Sequence, residues 1–175
     1  RTTVSCAGGA DETVIETIYD AKRRPSLVVT RAGNNTTAYT STNSRVAMTY
    51  TPLGDVESID GPLSVTTDTV WNYYDTMRRL RVTVTPEPDG GGALQYRVTR
   101  TTYDGDGNPT MVEKGGVSSP ANCSSANNFC SGAFMAVLTK ATFQYDSFGR
   151  KIRENLLNVS TGLPEAVTQY SFDAA

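Results

Sequence analysis

The chain has 175 residues, which is long enough for one domain with its own core. Its 16 basic and 18 acidic residues give a net charge of −2 without a basic cluster, which argues against nucleic acid as a partner. No apolar run approaches the 18 residues of a membrane-spanning helix, and 25 threonines with 16 valines favour strands.

An aromatic residue followed by a turn-like segment recurs along the chain. The copies begin at Tyr19-Asp20, Tyr50-Thr51, Tyr74-Asp75, Tyr103-Asp104 and Tyr145-Asp146, and a truncated sixth copy begins at Phe172-Asp173. The longest interval, between the fourth and fifth copies, contains a Ser/Asn-rich loop insertion near residues 115–133. We therefore predict about five repeats of one structural unit.

Each copy is predicted to form a strand, a tight turn and a second strand. Stretches such as VIETIY precede the turn and stretches such as PSLVVT follow it, and both are rich in β-branched residues. The aspartate can bond the backbone two residues on, and Gly54, Gly107 and Gly149 can supply a positive φ. Arg23 and Arg78 occupy the glycine position in two copies, so the turn type there is left open.

Two local patterns compete with a uniform hairpin. Val70, Tyr73, Met77 and Leu80 fit helical spacing, although the threonine-rich flanks and the repeat favour strands. In the fifth copy Lys151 stands where the third has Leu80, which predicts a bulge or register shift specific to that copy.

The pattern Tyr-Asp-x-x-Gly-Arg, complete at Tyr145 to Arg150, resembles the YD repeat of the Rhs family, which includes polymorphic toxins, Tc toxin shell proteins and teneurins. The similarity runs from about Ile15 to Asp173. It implies an all-β fold in which tandem hairpins stack side by side into one curved sheet, a single domain over residues 1–175 and a fragment of a β-shell.

The resemblance also implies a function. The chain would be a non-catalytic module of a shell that encloses or presents a toxin or other cargo domain of a larger protein, secreted or in the cell envelope of a bacterium. Its partners would be neighbouring repeats, the cargo, and other copies through unpaired sheet edges. The predicted structural turn residues are Tyr19, Asp20, Tyr50, Gly54, Tyr74, Asp75, Tyr103, Asp104, Gly107, Tyr145, Asp146, Gly149, Arg150, Phe172 and Asp173.

Catalytic and metal sites find little support. The absence of histidine removes the commonest general base, and aspartates repeated at one turn position indicate structure rather than paired glycosidase acids. Asp104-Gly-Asp-Gly-Asn108 imitates a calcium loop, but Pro109 and Gly115 replace its glycine and glutamate. We predict no catalytic residue, cofactor or metal.

Some features leave alternatives open. Cys123 and Cys130 could form a disulfide or remain two reduced loop cysteines, and Cys6 has no evident partner. Trp71 and Tyr73 fall outside the repeat position and are the candidate ligand aromatics, which keeps a carbohydrate- or protein-binding adhesion module as the alternative function. Sequons at Asn34, Asn35, Asn122 and Asn158 mark loops.

Overall fold

The computed structural model describes residues 2–5, 13–32, 44–63, 68–87, 96–130 and 135–172. Its regular structure is all β apart from short 3-10 segments, among them Pro120–Cys123 and Ser125–Asn127, which confirms the predicted fold class. The strands are β1 (Thr2–Ser5), β2 (Thr13–Tyr19), β3 (Pro25–Ala32), β4 (Ser44–Tyr50), β5 (Val56–Asp60), β6 (Val70–Tyr74), β7 (Leu80–Pro86), β8 (Tyr96–Tyr103), β9 (Pro109–Val117), β10 (Ala136–Tyr145), β11 (Lys151–Leu157) and β12 (Pro164–Gln169).

The contacts divide the chain into two compact units, Arg1–Val70 and Trp71–Ala175, and each is described by itself.

The helical alternative across residues 70–80 is wrong, because β6 ends at Tyr74 and β7 begins at Leu80. In the described part of the chain, no helix has the length and apolarity needed to cross a membrane.

In the first unit, β1 to β5 pair antiparallel in chain order. Val14 and Val29 are buried, and so is Glu16, which lies opposite Val29 in the β2–β3 register. Asp60, at the end of β5, accepts hydrogen bonds from Arg45 Nη2 at 2.9 Å and from Thr69 Oγ1 at 2.6 Å. The unit is a five-stranded meander with a small one-sided core.

In the second unit, β6 to β12 also pair antiparallel in chain order. Its core is a group of buried residues on one face of the sheet: Val82, Val84, Val98, Val117, Cys123, Cys130 and Met135. Val84 lies opposite Val98 across β7 and β8, so both side chains point to the same face. Burying one valine fully contributes about 1.5–3 kcal/mol, which makes this face the main source of stability in the unit.

All five hairpins carry the same bulge beside the turn. The repeat tyrosine, which ends the incoming strand, pairs with the first residue of the outgoing strand. The residue before the tyrosine pairs with the third residue of the outgoing strand, so the second residue of that strand has no partner in the register. Tyr145 thus faces Lys151 as Tyr74 faces Leu80. The predicted irregularity in the fifth copy is present, but the prediction was wrong to make it specific to that copy.

A second irregularity lies between β9 and β10, where the register shifts between Val137 and Thr139. Gly115 is buried opposite Val137, and a Cβ atom added there would collide with the carbonyl oxygen of Ala136. Only glycine fits this approach of two backbones.

We therefore expect Gly115→Ala to lower the free energy of unfolding by about 1–3 kcal/mol, because the strands must separate to admit the methyl group. Denaturant titration followed by circular dichroism measures the loss. Gly105→Ala is the matched control, because no atom lies within 4 Å of its added Cβ. Equal losses in the two variants would contradict the close-approach argument.

Candidate functional site

The five repeat turns have one backbone design. Each is a five-residue segment, numbered here as positions one to five, that joins a strand pair. In the first turn the Asp20 N–H donates to the Arg24 carbonyl at 2.8 Å, and the Arg23 N–H donates to the Asp20 carbonyl at 3.0 Å. The same two bonds close the other four, which begin at Thr51, Asp75, Asp104 and Asp146.

Position four always has a positive φ. It measures 63° at Arg23 and Arg78, and 99°, 92° and 75° at the three predicted glycines. The arginine copies therefore use the same turn as the glycine copies, which answers the question that the sequence left open. A non-glycine residue in this conformation costs about 1–2 kcal/mol, so the rest of the turn must hold it there.

The position-one aspartate supplies that restraint. Asp75 Oδ1 accepts the N–H groups of Met77 and Arg79, each at 2.9 Å, and its Oδ2 accepts Arg79 Nε at 2.8 Å. Asp20 and Asp146 make the same three bonds with their own turns. Each carboxylate thus ties the turn together at both oxygens.

Two turns depart from this chemistry, the fourth at position five and the second at both position one and position five, where Asp55 stands. In the fourth turn Asn108 replaces the arginine and donates its Nδ2 to Asp104 Oδ2 at 3.1 Å. In the second turn Thr51 replaces the aspartate, and its Oγ1 accepts the Asp55 N–H at 3.1 Å. The backbone design survives both changes.

The hydrogen bonds hold the pKa values of the turn aspartates below the ordinary value. The Arg24 and Arg150 amides do most to lower the pKa of Asp20 and of Asp146, respectively. Burial by itself would raise the pKa of Asp75, but the amide and guanidinium of Arg79 outweigh it. The side chain of Asn108 does most to lower the pKa of Asp104.

Successive turns are joined by two further contacts. The first is a hydroxyl bond from the repeat tyrosine to the residue just after the preceding turn. Tyr50 donates to the Pro25 carbonyl at 2.6 Å, Tyr103 to Leu80 at 2.9 Å and Tyr145 to Pro109 at 2.9 Å.

The second contact is made by the position-five arginine, which lies over the aromatic ring of the next copy. Its guanidinium carbon is 4.1 Å from the ring centre of Tyr50 for Arg24, 4.8 Å from Tyr103 for Arg79, and 4.5 Å from Phe172 for Arg150. Arg79 Nη1 also donates to the Asp104 carbonyl at 2.8 Å. Sequence reasoning singled out Arg150 alone, although the recurrence of arginine at position five was a visible signal.

The loop insertion after β9 covers the valine face of the second unit. Cys123 and Cys130 form a disulfide and are both buried. The Tyr73 hydroxyl donates to the Pro120 carbonyl at 2.9 Å, and Arg100 Nη1 donates to the Phe129 carbonyl at 3.4 Å. In the sheet, Arg100 of β8 and Lys140 of β10 both form ion pairs with the buried Glu113 of β9.

The candidate ligand aromatics lie against this core. Trp71 and Tyr73 are partly buried against the valine cluster, and the Trp71 ring meets Tyr96 edge-on with the ring centres 5.6 Å apart. They therefore contribute to the packing of this core, and their role as ligand aromatics stays a prediction. The sites at Cys6, Asn34, Asn35 and Asp173 lie outside the described residues.

An open groove of about 770 Å³ lies between the fourth and fifth turns. It was not predicted, because its walls come from residues some forty positions apart in the chain. Its lining comprises Asp104, Asp106, Asn108, Thr110, Phe143, Gln144, Tyr145, Asp146, Ser147, Phe148, Gly149 and Ile152.

Comparisons with known proteins give structural neighbours only. No family model matches the sequence, and no curated protein matches it. Similar solved structures include the crystal structures of TcdB2-TccC3-TEV (14% identity, 93% of this chain and 10% of that chain, TM-score 0.46) and of TcdB2-TccC3 (13%, 90%, 10% and 0.46). A mutant Photorhabdus luminescens Tc holotoxin pore matches with 15% identity over 91% of this chain and 10% of that chain, at a TM-score of 0.45.

These neighbours are Tc toxin components, and this chain spans about a tenth of the length of each. At such identities and TM-scores the likeness establishes neither a family nor a function.

The lowered pKa values predict acid sensitivity. A carboxylate whose pKa is lower in the folded state contributes stability above its unfolded value, about 3.9, and that contribution is lost as the pH falls below it. We expect the thermal unfolding midpoint to fall as the pH is lowered from about 5 to about 2, and to fall less steeply in Asp75→Asn. Thermal melts across this range test it, and an unchanged slope in the variant would exclude Asp75 as a contributor.

The hydroxyl bonds between turns predict a stability difference among tyrosines. Tyr103→Phe and Tyr145→Phe should each lower the free energy of unfolding by about 0.5–1.5 kcal/mol, because each removes one hydrogen bond. Tyr19 is 42% exposed and makes no such bond within the described residues, so Tyr19→Phe is the control and should change little. Denaturant titration compares the three, and equal effects would rule out the proposed contact.

Proposed function

We propose that this chain is a non-catalytic structural module, a segment of a YD-repeat wall that encloses or presents a toxin or other cargo domain of a larger protein. The first support for this function is the segment 145–150, which resembles the YD repeat. The observation that carries it is the use of the same residue types for the same contact in one hairpin after another.

Those contacts occupy the groups that catalysis would need. In three turns both oxygens of the aspartate accept bonds from the turn's own amides and arginine. A general acid or base needs an oxygen within hydrogen-bond reach of its substrate. Breaking these bonds to free one would open the turn, and at Asp20 and Asp75 it would also release the strained Arg23 or Arg78, so the aspartates serve the turn.

The disulfide supports a location outside the reducing cytosol. Buried disulfides form and persist in secreted proteins and in oxidising compartments. Cys123 and Cys130 close a short loop over the valine core, for which the chain-entropy model gives about 2–3 kcal/mol of stabilisation. We therefore place the parent protein in the secreted or cell-envelope class.

The partners follow from the sheet. Within the described residues β12 pairs with β11 alone, and all six of its residues are exposed. An unpaired strand edge is a template for another strand. We propose that neighbouring repeats occupy it in the parent protein, and that isolated copies associate through it.

The deciding experiment is electron cryo-microscopy of the natural full-length polypeptide that contains this chain. We expect a hollow wall in which these hairpins form consecutive turns, with density for a cargo domain inside. A solid domain with no enclosed volume would overturn the proposal.

In the isolated chain, Asp20→Asn, Asp75→Asn and Asp146→Asn should each lower the free energy of unfolding by a similar amount. Loss of a hydrolytic activity in one of these variants alone would favour an enzyme.

A further inference from the structure

The fourth turn departs from the arginine-bearing turns at the position that contacts the next copy. Arg24, Arg79 and Arg150 each bond their own aspartate and lie over the next aromatic ring. Asn108 makes only the first of these contacts, because its side chain is too short to extend over the next ring. In the described part of the chain no cation lies over the Tyr145 ring.

The groove occupies the place of the missing side chain. In the first turn the arginine is surrounded by Asp20, the Tyr50 ring and Gly54, whose added Cβ would lie 3.5 Å from Arg24 Nη1. The equivalent residues around Asn108 are Asp104, Tyr145 and Gly149, and all three line the groove.

The backbone acceptor for a guanidinium is also present. Arg79 Nη1 donates to the carbonyl of the next position-one residue, Asp104, which also accepts the Gly107 N–H. The equivalent carbonyl, that of Asp146, accepts the Gly149 N–H, and the described residues supply it with no side-chain donor. A carbonyl oxygen has two lone pairs, so one remains for a ligand.

The charge of the groove is complementary to a cation. Within the described residues, neither Asp104 nor Asp106 has a basic partner. The cations nearby are already paired: Arg150 with Asp146 at 2.7 Å, and Lys151 with Glu154 at 2.7 Å. Two carboxylates beside the half-buried Tyr145 ring form a site suited to a delocalised cation. The exposed Phe148 at the rim already has the Arg150 guanidinium 5.4 Å from its ring centre.

We propose that this groove binds the guanidinium group of an arginine side chain supplied by a partner polypeptide. The ligand would pair with Asp104 and Asp106, lie over Tyr145 and donate to the Asp146 carbonyl, and so complete the contact that other turns make internally. Arginine is favoured over lysine because its planar fork can bond a carboxylate while it stacks on a ring. The inference is independent of the shell proposal.

The test uses the whole 175-residue chain and N-acetyl-arginine amide as the probe, with N-acetyl-citrulline amide as its neutral isostere. Two-dimensional NMR titration should show the amides of Gly107, Asn108 and Asp146–Gly149 shifting together. A ligand of this size is expected to bind with a dissociation constant on the order of 1 mM. Citrulline should bind at least about tenfold more weakly, since it lacks the charge.

Asn108→Arg is the decisive variant, because it restores the internal arginine. It should abolish binding of the probe and raise the thermal unfolding midpoint. Ser160→Arg is the control: it adds the same charge at an exposed residue outside the groove and should leave binding unchanged. Asp106→Asn, at an exposed carboxylate, should weaken binding several-fold and gives a reading even if Asn108→Arg folds poorly.

The outcomes separate clearly. Binding that is equal for arginine and citrulline, that persists unchanged in Asn108→Arg, or that shifts amides beside exposed carboxylates throughout the chain would overturn the proposal. Loss of binding in Asn108→Arg with retention in Ser160→Arg would support it. A mixed result in which lysine amide binds as tightly as arginine amide would contradict the guanidinium specificity.

Discussion

The interaction on which the rest of the structure depends is the closure of each turn by its position-one side chain. In four of the five turns a carboxylate accepts two amides of its own turn, and its second oxygen holds the position-five side chain. This closure holds a positive φ even at Arg23 and Arg78, where an isolated chain would avoid it. It also places the bulge, because the strand pairing resumes at a constant offset from the tyrosine.

Once the turn is closed, position five determines how one hairpin meets the next. An arginine there spans the gap between hairpins, since it reaches the next ring and, at Arg79, the next turn's carbonyl. An asparagine closes its own turn with one side-chain amide bond but leaves the gap open. A single position thus separates two roles, cohesion between repeats and a groove accessible to a ligand, without disturbing the backbone.

The second unit adds a feature that the repeats do not supply. Its valine face would be exposed if the hairpins were alone, and the insertion after β9 covers it with Cys123, Cys130 and Met135. The disulfide and the bonds to the Pro120 and Phe129 carbonyls hold that cover in place. Gly115 permits the neighbouring strands to approach at the point where the insertion rejoins the sheet.

The amino-acid sequence by itself determined the hairpins, the position of each turn and the role of the aspartates. The turn bonds join residues within four positions of one another, and each hairpin pairs two strands that are adjacent in the chain. The sequence left open or misassigned what depends on distant residues: the turn type at Arg23 and Arg78, the bulge common to all copies, the packing of Trp71 and Tyr73, and the partner of Cys123. Only the tertiary structure decided these, because strand pairing brings side chains from different copies into contact. The groove at Asn108 exists for the same reason, since it requires two turns to lie side by side.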